Sequence, residues 1–83
     1  MNVTVRYFAA ARAAAGGEAE TVTVPVGTTV DILLKTVRAL HGDEFGRVLD
    51  RCSFLLDEVA VRDREASLRD GAVVDVLPPF AGG

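Results

Sequence analysis

Reactive side chains are scarce in these 83 residues: one histidine, one cysteine, one tyrosine, one methionine and no tryptophan. The single cysteine, Cys52, excludes an intrachain disulfide and a cysteine-based zinc site. No apolar run approaches the roughly 20 residues of a membrane span. The opening Met1–Phe8 lacks the basic region and cleavage site of a signal peptide and reads as a strand, so the expected compartment is the cytoplasm. The net charge is −3, without the basic footprint that phosphate backbones demand, so neither nucleic acid nor membrane is an expected partner. No glycine-rich loop follows a strand and opens a helix, because Gly16-Gly17 follows an alanine run and precedes a strand. No carboxylate pair stands out, His41 reads as a helix-end residue, and Cys52 reads as a small core residue. The side chains of this domain are therefore not expected to catalyse a reaction, and no bound metal or cofactor is expected.

What is there is a soluble globular mix, 49% hydrophobic and 25% charged, in one domain near the size where a single core just suffices. Residues 2–8 alternate as a strand, with Val3, Val5 and Tyr7 on one face and Thr4, Arg6 and Phe8 on the other. Phe8 is off-pattern, an aromatic on the face that otherwise carries Thr and Arg. Residues 9–15 are a short helix-prone alanine stretch stopped by Gly16-Gly17. Residues 20–24 form a second strand with Val22 and Val24 inward, ended by Pro25 and Gly27.

The main helix follows, capped by Thr28 or Thr29, with Asp31 at the positive end of its dipole. Its apolar stripe is Val30, Leu33, Leu34, Val37 and Leu40, and His41-Gly42 closes it. Residues 43–51 read as a loop with one helical turn. Short strands at 53–56 and 59–61 flank an Asp57-Glu58 turn, a charged connection returns Leu68 to the core, and the Asp70-Gly71 turn leads into a last strand ending at Leu77. Val74 and Val76 share one face of that strand; Val73, Asp75 and Leu77 share the other. A helix stripe and strands with one apolar face each predict an α+β domain, a mixed sheet of four to five strands with one main helix on one face. The expected domain spans residues 1–77, and residues 78–83 form a free C-terminal tail.

That tail, Pro78-Pro79-Phe80-Ala81-Gly82-Gly83, is the most informative segment. Pro78-Pro79 ends sheet pairing and makes an extended, semi-rigid stem. Gly82-Gly83 puts an α-carboxylate on a stretch without a Cβ, fit for a channel too narrow for side chains. The carboxylate is ionised at neutral pH. Attack on the α-phosphate of ATP would make it an acyl adenylate, which a sulfur nucleophile or an amine can open. Phe8 and Leu77 both lie on the solvent-side face of their strands. If those strands are neighbours, they form an apolar patch at the root of the tail; otherwise they are covered by residues 9–15 or 43–51.

Three blocks together resemble the MoaD family, the small sulfur-carrying subunit of molybdopterin synthase. They are Arg6-Tyr7-Phe8-Ala9-Ala10-Ala11-Arg12, Leu68-Arg69-Asp70-Gly71 and Val76-Leu77-Pro78-Pro79-Phe80-Ala81-Gly82-Gly83. The resemblance runs the whole length of the chain. It implies a ubiquitin-like β-grasp fold with the first and last strands side by side in parallel. It implies adenylation of Gly83 by a MoeB-type enzyme using ATP and magnesium, conversion to a thiocarboxylate by a sulfurtransferase, and delivery of sulfur to a pyranopterin in a MoaE-like large subunit, in a two-plus-two assembly. In that role Gly83 reacts and Gly82 fits the channel, while Phe8, Leu77, Pro78, Pro79, Phe80 and Ala81 meet the partner. The chain would be the non-catalytic, sulfur-donating subunit. Many members carry an acid after the Arg of the first block. Here Ala13 follows Arg12, so an Arg12–Glu pair is expected to be absent. Sulfur carriers for thiamine, cysteine or tRNA thiolation, and ubiquitin-like modifiers, would share the Gly-Gly ending and remain alternatives.

Overall fold

The element that organises the chain is the helix α2, Val30–His41, whose periodic apolar residues need a surface to cover. In the computed structural model, which describes residues 1–79, Thr29 caps it by accepting a hydrogen bond from the Ile32 backbone N–H at 3.2 Å. Val30, Leu33, Leu34 and Val37 are buried. Leu40, expected on the same stripe, is 60% exposed. Beyond Val37 the inward side of the helix runs on to His41, four residues later, whose ring packs against Tyr7 and Phe45 and takes the place on the stripe expected of Leu40.

The surface that α2 covers is a five-stranded mixed sheet of β1 (Asn2–Tyr7), β2 (Ala19–Thr23), β3 (Ser53–Leu56), β4 (Val59–Ala60) and β5 (Val73–Leu77), in the order β2-β1-β5-β3-β4. The central pair, β1 and β5, is parallel, with Arg6 opposite Asp75 and Tyr7 opposite Val76; the other pairings are antiparallel. This is the β-grasp arrangement. Val3, Val5, Tyr7, Val22, Phe54, Val74 and Val76 point inward and form one cluster with the α2 residues. Each fully buried side chain of this size contributes roughly 1.5–3 kcal/mol against the entropy of ordering the chain.

Two seven-residue helices accompany α2: α1 (Ala9–Ala15) and α3 (Asp43–Leu49). Both are too short to be stable alone, and they pack against each other and the core through Ala11, Phe45 and Leu49. Gly16, at φ 81°, closes α1 by donating its N–H to the Arg12 carbonyl. The expected loop at 43–51 is thus a helix of nearly two turns. Its interior Gly46 is a poor helix former, and it is buried beside the Arg38 side chain of α2. A Cβ there would lie 3.0 Å from the guanidinium of Arg38, and that flexible side chain would have to move by a few tenths of an ångström to admit it. Arg38 in turn pairs with Asp50, Nη1 to Oδ1 at 2.5 Å, tying the two helices together.

The hairpin from β3 to β4 turns through Asp57 and Glu58, both at positive φ (47° and 70°), as a two-residue hairpin turn of primed type requires. Strand β4 holds only Val59 and Ala60. Val61, expected in it, is half-buried and donates its N–H to the Phe54 carbonyl. No helix among the described residues is long and apolar enough to cross a membrane.

Candidate functional site at the root of the stem

Strand β5 ends at Leu77 in the middle of the sheet, and Pro78 and Pro79 carry the chain out from there. Pairing stops because proline has no N–H to give to a neighbouring strand. Pro78 is half-buried and Pro79 exposed. Phe80, Ala81, Gly82 and Gly83, which carry the expected tail chemistry, lie outside the described residues.

Phe8 lies one residue beyond β1, as the N-cap of α1, but its backbone is still extended (φ −123°, ψ 149°). The strand alternation therefore continues through it, onto the side of Arg6. Its N–H donates to the Val76 carbonyl at 3.3 Å, which sets Phe8 beside Leu77 in the parallel register. Ala9 then turns the chain through φ 49° into α1. Phe8 and Leu77 are both half-buried. The parallel pair brings together the two off-pattern apolar residues at the root of the stem, and leaves part of each open to solvent.

Beside them is a pair that residue-by-residue reading did not single out. Arg6 donates to Asp75 through Nε (2.5 Å to Oδ1) and Nη2 (2.7 Å to Oδ2), a fork that fits a carboxylate in two places. Asp75 is almost wholly buried, whereas the Arg6 side chain is 43% exposed. The Asp75 hydrogen bond and charge raise the guanidinium pKa further, so Arg6 stays cationic. The same guanidinium lies 5.9 Å from the centre of the Phe8 ring, near the outer limit of a cation–π contact. The pair thus supports Phe8 from the sheet side. Its signal in the sequence was the common face of Arg6 on the first strand and Asp75 on the last. Only the parallel β1–β5 register makes them partners.

The other polar residues serve the fold. Glu20 accepts a hydrogen bond from the Tyr7 hydroxyl at 2.5 Å and pairs with His41, whose ring packs against Phe45 and Tyr7. Burial pushes the Glu20 carboxyl upward, but the Tyr7 and His41 hydrogen bonds and the His41 charge together outweigh it, and the net shift is downward. Burial, reinforced by Glu20, drives the Tyr7 hydroxyl far above its ordinary range. Cys52 is buried, donates its thiol to the Val48 carbonyl at 3.2 Å, and is pushed up by burial. It is a core residue with little thiolate character. Arg12 does have an acidic partner after all. Its Nη1 lies 3.5 Å from Glu18 Oε1 across the Gly16-Gly17 turn, so the missing acid at position 13 is replaced from the far side of that turn.

Among the described residues, no converging nucleophile, base or ligand set lies beside the stem. Among the described residues no group of three or more His, Cys, Asp or Glu could hold a metal ion.

The chain is similar along its whole length to known proteins. The ThiS family profile matches residues 5–83. The molybdopterin synthase sulfur carrier subunit of Chlamydomonas reinhardtii is 36% identical over 85 residues, spanning all of both chains. Among solved structures, a putative molybdopterin converting factor subunit 1 from Pyrococcus furiosus superposes with a TM-score of 0.86 at 28% identity, covering 96% of this chain and 99% of that one. A chain of the BexX/CysO complex from Amycolatopsis orientalis does so with a TM-score of 0.73 at 28% identity, covering 98% and 99%.

Proposed function

The chain belongs to the ThiS family, and from that premise we propose that it is the sulfur carrier of a molybdopterin synthase, with the α-carboxylate of Gly83 as its working group. One observation carries the reading: full-length similarity to a molybdopterin synthase sulfur carrier subunit. The half-open Phe8–Leu77 pair at the root of the stem supports it, as a surface on which a partner can hold the domain while it takes the tail.

The chemistry follows from the carboxylate. A carboxylate is a poor acyl donor until one oxygen becomes part of a good leaving group. One oxygen of Gly83 attacks the α-phosphate of ATP on an adenylating enzyme of MoeB type; the P–O bond to the β-phosphate breaks and pyrophosphate leaves. The terminal sulfur of a sulfurtransferase persulfide then displaces AMP at the acyl carbon, and a thiol reductant cleaves the S–S bond of the resulting acyl disulfide, leaving the thiocarboxylate while the reducing thiols are oxidised to a disulfide. In the active site of a MoaE-like large subunit, sulfur passes to the pyranopterin and water returns the carboxylate. The carrier contributes the reacting end, a tail slim enough to enter, and a rigid domain to hold it; the catalytic side chains are the partners'. Because reach matters, Pro78-Pro79 has a mechanical role: an extended stem spans about 3 Å per residue and does not fold back.

Complementation tests this reading. Expression in a strain lacking its own molybdopterin sulfur carrier is expected to restore molybdoenzyme activity, and the same chain without Gly83 is expected not to. Failure of the full chain there, with rescue of a thiamine or cysteine requirement instead, would move the assignment to another sulfur pathway with the same tail chemistry.

A further inference from the structure

The helical side of the stem carries a second feature. Val48 of α3, Ala10 of α1 and the two stem prolines line a cleft of about 310 Å³, rimmed by Arg47 and Arg51. Arg6, Arg12, Arg38 and Arg69 each have a carboxylate within 4 Å; Arg47, Arg51, Arg62 and Arg64 have none among the described residues, and of these four only Arg47 and Arg51 line the stem cleft, while Arg64 lies over the Phe54 ring. Both are exposed. They stand four residues apart, where like charges repel on a helical face. Arg47 is in the last turn of α3 and gains something from the helix dipole. Arg51 is already past the helix and gains nothing comparable. Folding thus gives little reason to keep two unpaired guanidinium groups side by side, in a chain whose net charge is −3.

Their position gives a reason. Pro78 and Pro79 form one wall of the cleft, so a protein that grips the stem also touches its rim. Its lining combines apolar Ala10, Val48, Pro78 and Pro79 with two cations, and no carboxylate lines the cleft among the described residues. A segment that fills it presents carboxylates around a small apolar side chain. A slightly larger cleft between α2 and α3 differs in carrying its own carboxylates, Asp31 and Asp50, which pair with Lys35 and Arg38 and leave Arg64 as its one unpaired cation among the described residues. The overall acidity of the domain disfavours a long polyanion such as nucleic acid, which would meet repulsion outside this one patch.

We infer that Arg47 and Arg51, with the cleft they rim, bind an acidic segment of the large subunit that receives the tail. Docking then has two contacts on opposite sides of the stem: Phe8 and Leu77 on the open sheet face, and the arginine-rimmed cleft on the helical side. This rests on the carrier reading above, since it needs a partner that takes the stem. Contacts on both sides would fix the direction in which the tail leaves the domain, which a single apolar patch cannot do.

Calorimetric titration of the full chain against the MoaE-like large subunit of the same genome, at low and high NaCl, tests the inference. R47A/R51A is expected to weaken binding about tenfold at low salt, and R47E/R51E more, with a shallower salt dependence than the unaltered chain. Both doubly substituted chains should melt within a few degrees of the parent, because the side chains are exposed. R47K/R51K, which keeps the charge, should retain most of the affinity. Binding by R47E/R51E equal to the parent's, with the same salt slope, while Phe8→Ser still weakens the complex, would overturn the arginine contact and leave the carrier reading standing. Failure of the unaltered chain to bind the large subunit would overturn both. Tight binding of a short DNA duplex, lost in R47E/R51E, would overturn the acidic-protein assignment.

Discussion

The two faces of the sheet are built from the same strands but hold their apolar residues for different ends. On the inner face Val3, Val5, Val74 and Val76 are wholly shielded, in one cluster with Leu33 and Val37 of α2. On the open face Phe8, Leu77 and Leu55 are only half-buried, and the centre is occupied by Arg6 and Asp75. An ion pair with one partner half-exposed contributes little net stability compared with hydrophobic packing. It does orient the groups next to it, and here the neighbours are Phe8 and the stem. The contrast runs within single strands: Tyr7 and Val76 are buried in the core and hold the fold, while Phe8 and Leu77 are left half-open at the root of the stem, where a partner is proposed to meet them.

The contrast breaks most visibly in the core. Leu33→Ala removes a wholly buried side chain and is expected to cost about 2–5 kcal/mol in urea unfolding, with unchanged affinity for the large subunit when measured well below the melting temperature. A loss of affinity larger than the unfolded fraction explains would blur the line between the faces. On the open side the expectation reverses. Phe8→Ser should lower the affinity for the large subunit by about tenfold or more, as expected of an aromatic anchor, while shifting the unfolding midpoint only slightly. Unchanged affinity in a folded Phe8→Ser chain would remove the open face from the docking surface.

The smallest effect concerns pH. The Glu20 carboxyl titrates below its ordinary 4.5 in the folded chain. Its contribution is therefore complete above the unfolded value and is lost as the pH falls through the folded one. Glu20→Gln should be less stable than the parent at neutral pH and approach it in acid, so that the two urea midpoints converge. Parallel curves across that range would show that the Tyr7–Glu20–His41 cluster is not what sets the acid limb. Partner affinity should not follow this titration, because the cluster is on the far side of β1 from Phe8 and Leu77.

Much of this was legible in the chain. The α2 stripe, the Thr29 cap, the Asp57-Glu58 and Asp70-Gly71 turns and the inward valines depend on neighbours within a few residues, where periodicity and turn chemistry speak directly. The adjacency of Phe8 and Leu77 is different, because they lie at opposite ends of the chain. Strand alternation put both on the solvent side, but no local pattern makes β1 and β5 neighbours; that expectation came from the family resemblance. The Arg6–Asp75 pair stayed hidden for the same reason. Helix α3 was read as a loop with a single turn because its apolar residues, Phe45, Val48 and Leu49, span little more than one turn, and what extends it is packing against α1 and α2, a tertiary contact with no local trace. Leu40 was misplaced because i+3 and i+4 positions look alike on a stripe until packing chooses between them. Arg47 and Arg51 gained meaning only once α3 and the stem shared a cleft.

The central claim concerns one group, and intact mass spectrometry addresses it directly. The full chain is incubated with a MoeB-type adenylating enzyme, ATP, magnesium and a sulfur donor with its sulfurtransferase, beside a control chain lacking Gly83. The account predicts that the full chain gains the mass of one oxygen exchanged for one sulfur, at the C-terminal residue, and that the control gains nothing. A full chain that keeps its mass under conditions where the enzyme thiolates another Gly-Gly carrier would contradict it.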